Sequence, residues 1–148
     1  MPHYKDLENK VHWLEDGKYV TLLPIGAIEI TQEEADIINN PPPTSEEQAA
    51  ELTRLHYDAL GSLVHDFGDG RIIQVRPQEA EALDEPNIRN AIEQMTRNLV
   101  ASREWKMADD TIGILSLADL QEALNSGQDQ ATALWDAHIA ALKALFTV

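Results

Sequence analysis

The chain has 148 residues and a formal net charge of -15 at pH 7. A field of this sign repels nucleic-acid phosphates and anionic membrane surfaces, so we expect neither as a partner. The absence of cysteine excludes disulfides and thiolate metal sites. No apolar stretch approaches the roughly 18 residues of a membrane span, and the first residues lack a signal-peptide core. We therefore expect a cytoplasmic protein without a membrane anchor.

The first 40 residues predict a small β-rich unit. Short apolar or β-branched runs at 11–14, 19–23 and 27–30 are separated by turn residues, which is typical of a small β-meander or hairpin. Thr31 with Glu34 has the form of a capping box. We expect a short helix to follow and to end at the paired asparagines before residue 41.

Three prolines at 41–43 predict a semi-rigid spacer between this unit and the rest of the chain. Thr44 begins a predicted connecting amphipathic helix over residues 44–66, whose last helical turn we expect near residue 64. Its apolar stripe is narrow and includes Leu52, Leu55 and Leu63. We expect such a stripe to pack on a partner helix or on the domain that follows.

Residues 67–148 predict an α+β C-terminal domain. A strand at 71–76 precedes a helix with Pro86 in its first turn, and the turn at 109–110 predicts a short β-hairpin. Ser116 caps a predicted helix over 117–124 that Gly127 closes, and a last amphipathic helix follows. The predicted fold class is α+β, with a small N-terminal β-meander, a proline-rich spacer, a long helix and a helix-rich C-terminal unit with a short hairpin.

No residue pattern indicates catalysis. Cysteine is absent, no serine lies in a nucleophile elbow, and the glycine turn at 68–70 lacks the lysine of a phosphate loop. The paired acids at 33–34 and 46–47 fall in first helical turns, where they complement the helix dipole. A carboxylate-dependent hydrolase, the enzymatic alternative, would need two acids about 5–10 Å apart across a cleft. We predict no enzymatic activity.

His65, Asp66 and Asp69 form the nearest approach to a metal-ligand cluster. Aspartates beside glycines can hold a hard cation, but they are also the expected residues of a solvated turn between a helix and a strand. We favour the turn, and we predict neither a metal site nor a cofactor.

The three tryptophans, Trp13, Trp105 and Trp135, each lie in a predicted element. A core position is the first interpretation, but a tryptophan with one exposed face is also a common anchor of protein interfaces. Trp13 is the best candidate for exposure because its unit is too small to bury much surface.

Two groups of residues resemble phage tail proteins. Residues 3–6 (HYKD), 9–12 (NKVH) and 23–31 (LPIGAIEIT), followed by an acidic helix and the prolines, resemble the opening of bacteriophage tail fibre assembly proteins. Residues 76–78 (RPQ), 86–88 (PNI) and 105–109 (WKMAD), with the helices around Gly127, resemble a domain of unknown function from phage and prophage tail proteins.

The resemblance implies a tail-associated protein that binds a tail fibre as an assembly chaperone and can remain attached to it. The alternative is a structural component of the virion in the tail, baseplate or fibre. The implied locations are the host cytoplasm during assembly and the virion tail. The implied partner is a tail fibre or another tail protein, and self-association into a homo-oligomer is a second kind of partner that we consider. The aromatic-rich C-terminus of the best-studied fibre chaperones is absent from this sequence.

We predict that a partner binds the N-terminal unit, where an extended strand can pair with the edge of the partner's sheet. The candidate contact residues there are Tyr4, Trp13, Tyr19 and Leu22. The alternative surface is the connecting helix, through Leu52, Leu55 and Leu63.

Overall fold

The computed structural model describes residues 1–15 and 17–147. Within this range, only the backbone is described for residues 17–19. The fold class is α+β, as predicted. The strands are β1 His3–Lys5, β2 Val11–Trp13, β3 Ile28–Ile30, β4 Val64–Asp66, β5 Ile72–Gln74, β6 Ser102–Lys106 and β7 Ile112–Ser116. The α-helices are α1 Gln32–Asn39, α2 Ser45–Leu60, α3 Asp84–Asn98 and α4 Leu117–Phe146. Two 3₁₀ helices span Gly17–Leu22 and Gln78–Ala80.

The chain divides into two compact units, the first over residues 1–44 and the second over residues 45–148. The division follows the three prolines. The predicted connecting helix belongs to the second unit, because α2 packs along α4.

The first unit is built on a three-stranded antiparallel sheet in the order β2-β1-β3. In its register, His3 of β1 lies opposite both Trp13 and Ile30. Residues directly opposite one another share a face of an antiparallel sheet, so these three side chains lie on one face. β1 is the central strand, which leaves β2 and β3 as the two edges.

The predicted strand at 19–23 is wrong. Residues 19–22 belong to the 3₁₀ helix Gly17–Leu22. Just after the helix, the Leu23 N–H donates to the Val20 carbonyl at 3.1 Å. β-branched and aromatic residues favour strands only where a neighbouring strand can pair with them. The segment pairs with neither free edge of the sheet, and the Leu23 N–H bonds locally instead.

The capping box at the start of α1 is confirmed. The Glu34 N–H donates to the Thr31 hydroxyl at 3.1 Å, and the Thr31 N–H donates to the Glu34 carboxylate at 2.8 Å. These bonds hold the pKa of the Glu34 carboxyl below its usual value. Two N–H groups that the helix itself cannot satisfy thereby gain acceptors, which fixes the point where β3 gives way to α1.

The second unit places α2 and α3 against the long helix α4. Its core is aliphatic, and the side chains of Ile73, Ile88, Leu115 and Leu120 are its largest fully buried members. The β6–β7 hairpin is confirmed, with Trp105 opposite Gly113. β7 leads directly into α4, so the hairpin and the start of the helix share one core.

α2 ends earlier than predicted, at Leu60 rather than near residue 64. Leu63 and Val64 instead lead into a second hairpin, in which His65 of β4 lies opposite Ile73 of β5. The strand predicted at 71–76 is correspondingly shorter, Ile72–Gln74. The Val75 N–H donates to the Leu63 carbonyl at 3.0 Å. The residues after Leu60 therefore pair with the β5 segment instead of extending α2 by another turn.

The predicted helix end at Gly127 is wrong, because α4 runs unbroken for 30 residues through it. Gly127 is buried where α4 crosses Val75, and a Cβ there would lie 2.9 Å from both the Val75 Cβ and the Val75 carbonyl oxygen. The absence of a side chain at residue 127 therefore lets α4 pack closely against Val75. Glycine at such a crossing looks the same in a sequence as glycine at a helix end.

An ion pair joins the β4–β5 turn to the start of α4. The Arg71 guanidinium lies 2.9 Å from the Asp119 carboxylate and donates to the Ile114 carbonyl at the same distance. Asp119 also accepts the Ser116 N–H at 2.9 Å in the predicted capping box. Arg71 and the Ser116 N–H hold the pKa of Asp119 below its usual value.

Leu99 ends α3 in the left-handed conformation, with φ of 55° and 93% of its surface exposed. A Cβ in this conformation costs about 1–2 kcal/mol, whereas glycine adopts it freely but loses more backbone entropy on folding. We predict that Leu99→Gly raises the free energy of unfolding by about 0.5–1 kcal/mol in urea titrations. Leu99→Ala keeps the Cβ and should stay near wild type; an equal gain from alanine would show that backbone strain is not the cause.

Candidate protein-binding surfaces

The carboxyl groups of the described residues are used mainly in caps, turns and ion pairs. Asp6 pairs with His12 at 2.7 Å, and Asp109 accepts the hydroxyl and the N–H of Thr111. The pKa of each of these carboxyls is lowered by the group that it accepts from. A general acid at neutral pH needs a raised pKa, so these shifts run opposite to that requirement.

The residues considered as a metal cluster serve the β4–β5 turn. Asp66 accepts the Gly68 N–H at 2.7 Å, and Asp69 lies 2.8 Å from the Arg71 guanidinium. His65 is buried and lies 3.2 Å from Glu122. In residues 1–15 and 17–147, no three histidine, aspartate or glutamate side chains are grouped so that they could hold a metal ion.

The first unit exposes more large apolar side chains than it buries. Among its described residues, Tyr4, Ile30 and Ala35 are the buried hydrophobic side chains. The large apolar side chains that are exposed are Met1, Leu7, Trp13, Val20, Leu22, Ile25, Ile28 and Ile37. Where such side chains form a contiguous patch, they are typical of surfaces that bind a partner. We call the exposed set the N-terminal apolar surface.

Two edge strands carry part of this surface. Trp13, which is 59% exposed, ends β2, and the exposed Ile28 begins β3 on the opposite edge. Both side chains belong to the same face of the sheet, because Trp13 pairs with His3 and Ile28 pairs with Lys5 on the central strand. The outer edges of β2 and β3 pair with no other strand among the described residues, so both can accept an added strand.

The four side chains predicted to bind a partner through the first unit have different environments. Trp13 and Leu22 are exposed. Tyr4 is buried on the central strand, so its side chain packs within the unit and is not presented to a partner. The side chain of Tyr19 lies outside the described residues.

The three leucines predicted on the connecting helix are also divided. Leu55 is exposed on α2, Leu52 is half-buried, and Leu63 is buried beyond the end of the helix. Leu63 belongs to the aliphatic core of the second unit, so it stabilises the fold and offers no surface to a partner.

A groove that no sequence motif predicts lies beside the middle of α4. One end of the groove, the aromatic lobe, has a volume of about 440 Å³. His56 and Leu60 from the end of α2 are buried in it, with Pro77, while Tyr57 and Trp135 are half exposed at 50% and 53%. Two aromatic side chains therefore flank an apolar floor.

The other end of the groove, the acidic lobe, has a volume of about 470 Å³. Its charged lining residues are Glu79, Glu85 and Asp129. Glu79, together with Pro77, lines both lobes, so the two lobes form one continuous groove. We call it the α4 groove. Sequence spacing gives no signal for it, because α2, the second 3₁₀ helix and α4 meet only in the folded unit.

His56 organises the aromatic lobe. Its ring stacks on His138 with centroids 4.5 Å apart and meets the rings of Trp135 and Tyr57 edge-on at 5.4 and 5.5 Å. Neither ring nitrogen has a hydrogen-bond partner among the described residues. Burial and the neighbouring His138 lower the pKa of His56, and the Leu134 carbonyl opposes this shift without reversing it.

The lowered pKa of His56 makes the stability of the protein pH-dependent. The unfolded chain takes up a proton at His56 near pH 6.5, whereas the folded chain does so only at lower pH. We therefore expect neutral His56 to make its full contribution to the free energy of unfolding above about pH 6.5. This contribution should be lost progressively as the pH falls toward the lowered pKa. Urea unfolding at pH 7.5 and 5.5 measures the loss.

His56→Phe keeps a buried aromatic ring and cannot be protonated, so it should lose less stability than the wild type between these two pH values. Because the other four histidines are the same in both proteins, the comparison isolates His56. Equal losses in the two proteins would contradict the assignment.

Comparisons with known proteins give no match: no protein family model, curated protein or solved structure is significantly similar to this chain. Among the described residues, no helix combines the length and the apolar character needed to cross a bilayer.

Proposed function

We propose that the chain is a bacteriophage tail-associated protein that binds a tail fibre, acts as its assembly chaperone and can remain attached to it. It acts by binding and catalyses no reaction. The motif resemblance in residues 3–31 and 76–135 suggests the phage tail, and the N-terminal apolar surface suggests binding as the mode of action.

The observation that carries the proposal is the excess of exposed apolar side chains on a unit of 44 residues. Surface of this kind is stabilised by contact with another apolar surface, at about 25 cal/mol for each Å² removed from water. Trp13 on the edge of the sheet and Leu22 at the end of the 3₁₀ helix are the anchors that we assign to the contact. Tryptophan is enriched among residues that dominate binding energies.

The edge strands provide the second element of the proposed contact. A fibre segment that adds to β2 or β3 would satisfy its own backbone groups and place alternate side chains against the apolar face. A fibre subunit that exposed an unpaired strand and apolar surface before it trimerised would fit this site. The net charge of -15 would keep the resulting complex soluble.

Co-expression with the tail fibre protein encoded beside this chain tests the proposal. We expect the wild-type chain to raise the yield of soluble fibre trimer and to co-purify with it. The double variant Trp13→Ser/Leu22→Ser should lose both effects, whereas Leu99→Ser, which changes an equally exposed leucine of the second unit, should keep them. If the wild-type chain neither raised the yield of soluble trimer nor co-purified with the fibre, the proposal would be refuted.

The division into two compact units favours one alternative, a structural component that links two tail proteins. Mass spectrometry of purified virions distinguishes the two roles. Absence of the chain from the particle would exclude the structural role. Stoichiometric amounts in the particle, without any effect on the yield of soluble fibre trimer, would indicate the structural role.

A further inference from the structure

We propose that the α4 groove of the second unit binds an arginine-containing segment of another protein, with the guanidinium group against Trp135 and Tyr57 and its charge facing Glu79. This inference concerns a different unit from the N-terminal apolar surface and does not depend on the tail fibre proposal.

The walls of the aromatic lobe have the chemistry that holds a guanidinium group. Tyr57 and Trp135 are half exposed although the floor between them is buried, so each offers part of its ring to the groove. A cation within about 6 Å of such a ring is attracted to its face, and tryptophan is the strongest acceptor. This chain already makes the contact elsewhere, since the Arg71 guanidinium lies 4.8 Å from the centroid of Phe67.

The rings are also held in place before a ligand arrives. His56 contacts both of them edge-on, and its other face is covered by the stacked ring of His138. Holding aromatic side chains in the bound arrangement reduces the entropy lost on binding. Burial lowers the pKa of His56, so its ring on the floor of the lobe is uncharged at neutral pH and does not repel a cation.

The charges of the groove select a cation over an anion. Three carboxylates line it, and of its described lining residues none is lysine or arginine. Glu85 is held by Arg89 at 2.7 Å, but the carboxylates of Glu79 and Asp129 make no ion pair or hydrogen bond with another described residue. Their charges are therefore available to a ligand, and Glu79 lies where the two lobes join.

A segment with two basic side chains fits the groove better than a single free amino acid. The aromatic lobe would hold the first guanidinium, and the acidic lobe, which includes Asp129, would hold the second. Arginine is favoured over lysine because its planar group stacks on aromatic rings and pairs with carboxylates in two directions.

Titration calorimetry of the full chain with the peptide acetyl-Gly-Arg-Pro-Arg-Gly-amide tests the proposal. Two matched peptides carry citrulline or lysine in place of both arginines; citrulline keeps the shape of arginine without its charge. We expect the citrulline peptide to bind at least about tenfold more weakly, and the lysine peptide to bind with intermediate affinity. Equal affinities for the arginine and citrulline peptides would overturn the proposal.

Variants distinguish the groove from general attraction to an acidic chain. Glu79→Gln should weaken arginine-peptide binding about two- to fivefold and Trp135→Leu about tenfold. Glu81→Gln removes the same charge two residues away, and Trp13→Leu removes an exposed tryptophan from the other unit, so both should bind like the wild type. An equal loss in Glu79→Gln and Glu81→Gln, or no loss in Glu79→Gln, would overturn the proposal even if Trp135→Leu fails to fold.

Discussion

Replacing Leu120 with alanine should lower the free energy of unfolding of the second unit by about 2–5 kcal/mol. Leu120 is fully buried in the second turn of α4, where the helix, the β6–β7 hairpin and α3 share one core. Truncating it removes apolar contacts and leaves a cavity that the surrounding side chains fill only in part. Domains of this size are stable by only about 5–15 kcal/mol, so the loss is a large fraction of the total.

Urea unfolding followed by near-ultraviolet circular dichroism measures this loss, because Trp105 and Trp135 report on the second unit. Leu99→Ala is the control: it is the same chemical change at a side chain that is 93% exposed, and we expect a shift within about 0.5 kcal/mol. If Leu120→Ala and Leu99→Ala shifted the transition equally, the assignment of Leu120 to the core would be wrong.

Gly127→Val should destabilise the second unit by about 1–3 kcal/mol although valine has the higher helix propensity. The Cβ of any side chain at residue 127 would lie 2.9 Å from the Val75 carbonyl oxygen, and this backbone atom cannot move aside without disturbing the bond between Val75 and Leu63. The gain in propensity over glycine is about 0.5 kcal/mol, which is smaller than the cost of the close contact.

Gly61→Val provides the matched control for this substitution. The Cβ at Gly61 would meet only ordinary contacts of 3.4 and 3.5 Å, so we expect a change of less than about 1 kcal/mol. Thermal unfolding of both variants beside the wild type gives the comparison. A stabilised Gly127→Val protein would contradict the close crossing of α4 and Val75.

The elements that local chemistry determines could be predicted from the sequence. The capping boxes at Thr31 and Ser116 are formed within four residues, and both helices begin where their caps predict. The β6–β7 hairpin is likewise determined by a turn between two apolar runs. Such features need no information about distant parts of the chain.

The errors in the predicted elements have non-local causes. Residues 19–23 have the composition of a strand but pair with neither free edge of the sheet, and Gly127 has the appearance of a helix end but packs against Val75. The end of α2 depends on the pairing of β4 with β5. At the end of α2 and at Gly127, pairing or packing with another segment decides the local structure.

The candidate surfaces, too, could be predicted only where they do not depend on how the elements pack. Exposure of Trp13 follows from the small size of its unit and could be predicted, whereas burial of Tyr4 depends on which strand is central. Trp135 has the helical spacing of a core residue and yet is half exposed. The α4 groove requires three elements to meet, so no single motif in the sequence predicts it.

Hydrogen exchange of the chain alone and in complex with the tail fibre tests most directly whether the N-terminal apolar surface is where the partner binds. The account predicts slower exchange in β2, in β3 and in residues 17–22 when the fibre is bound, with α4 unchanged at its core. A stable complex whose protection was confined to residues 45–148 would contradict it.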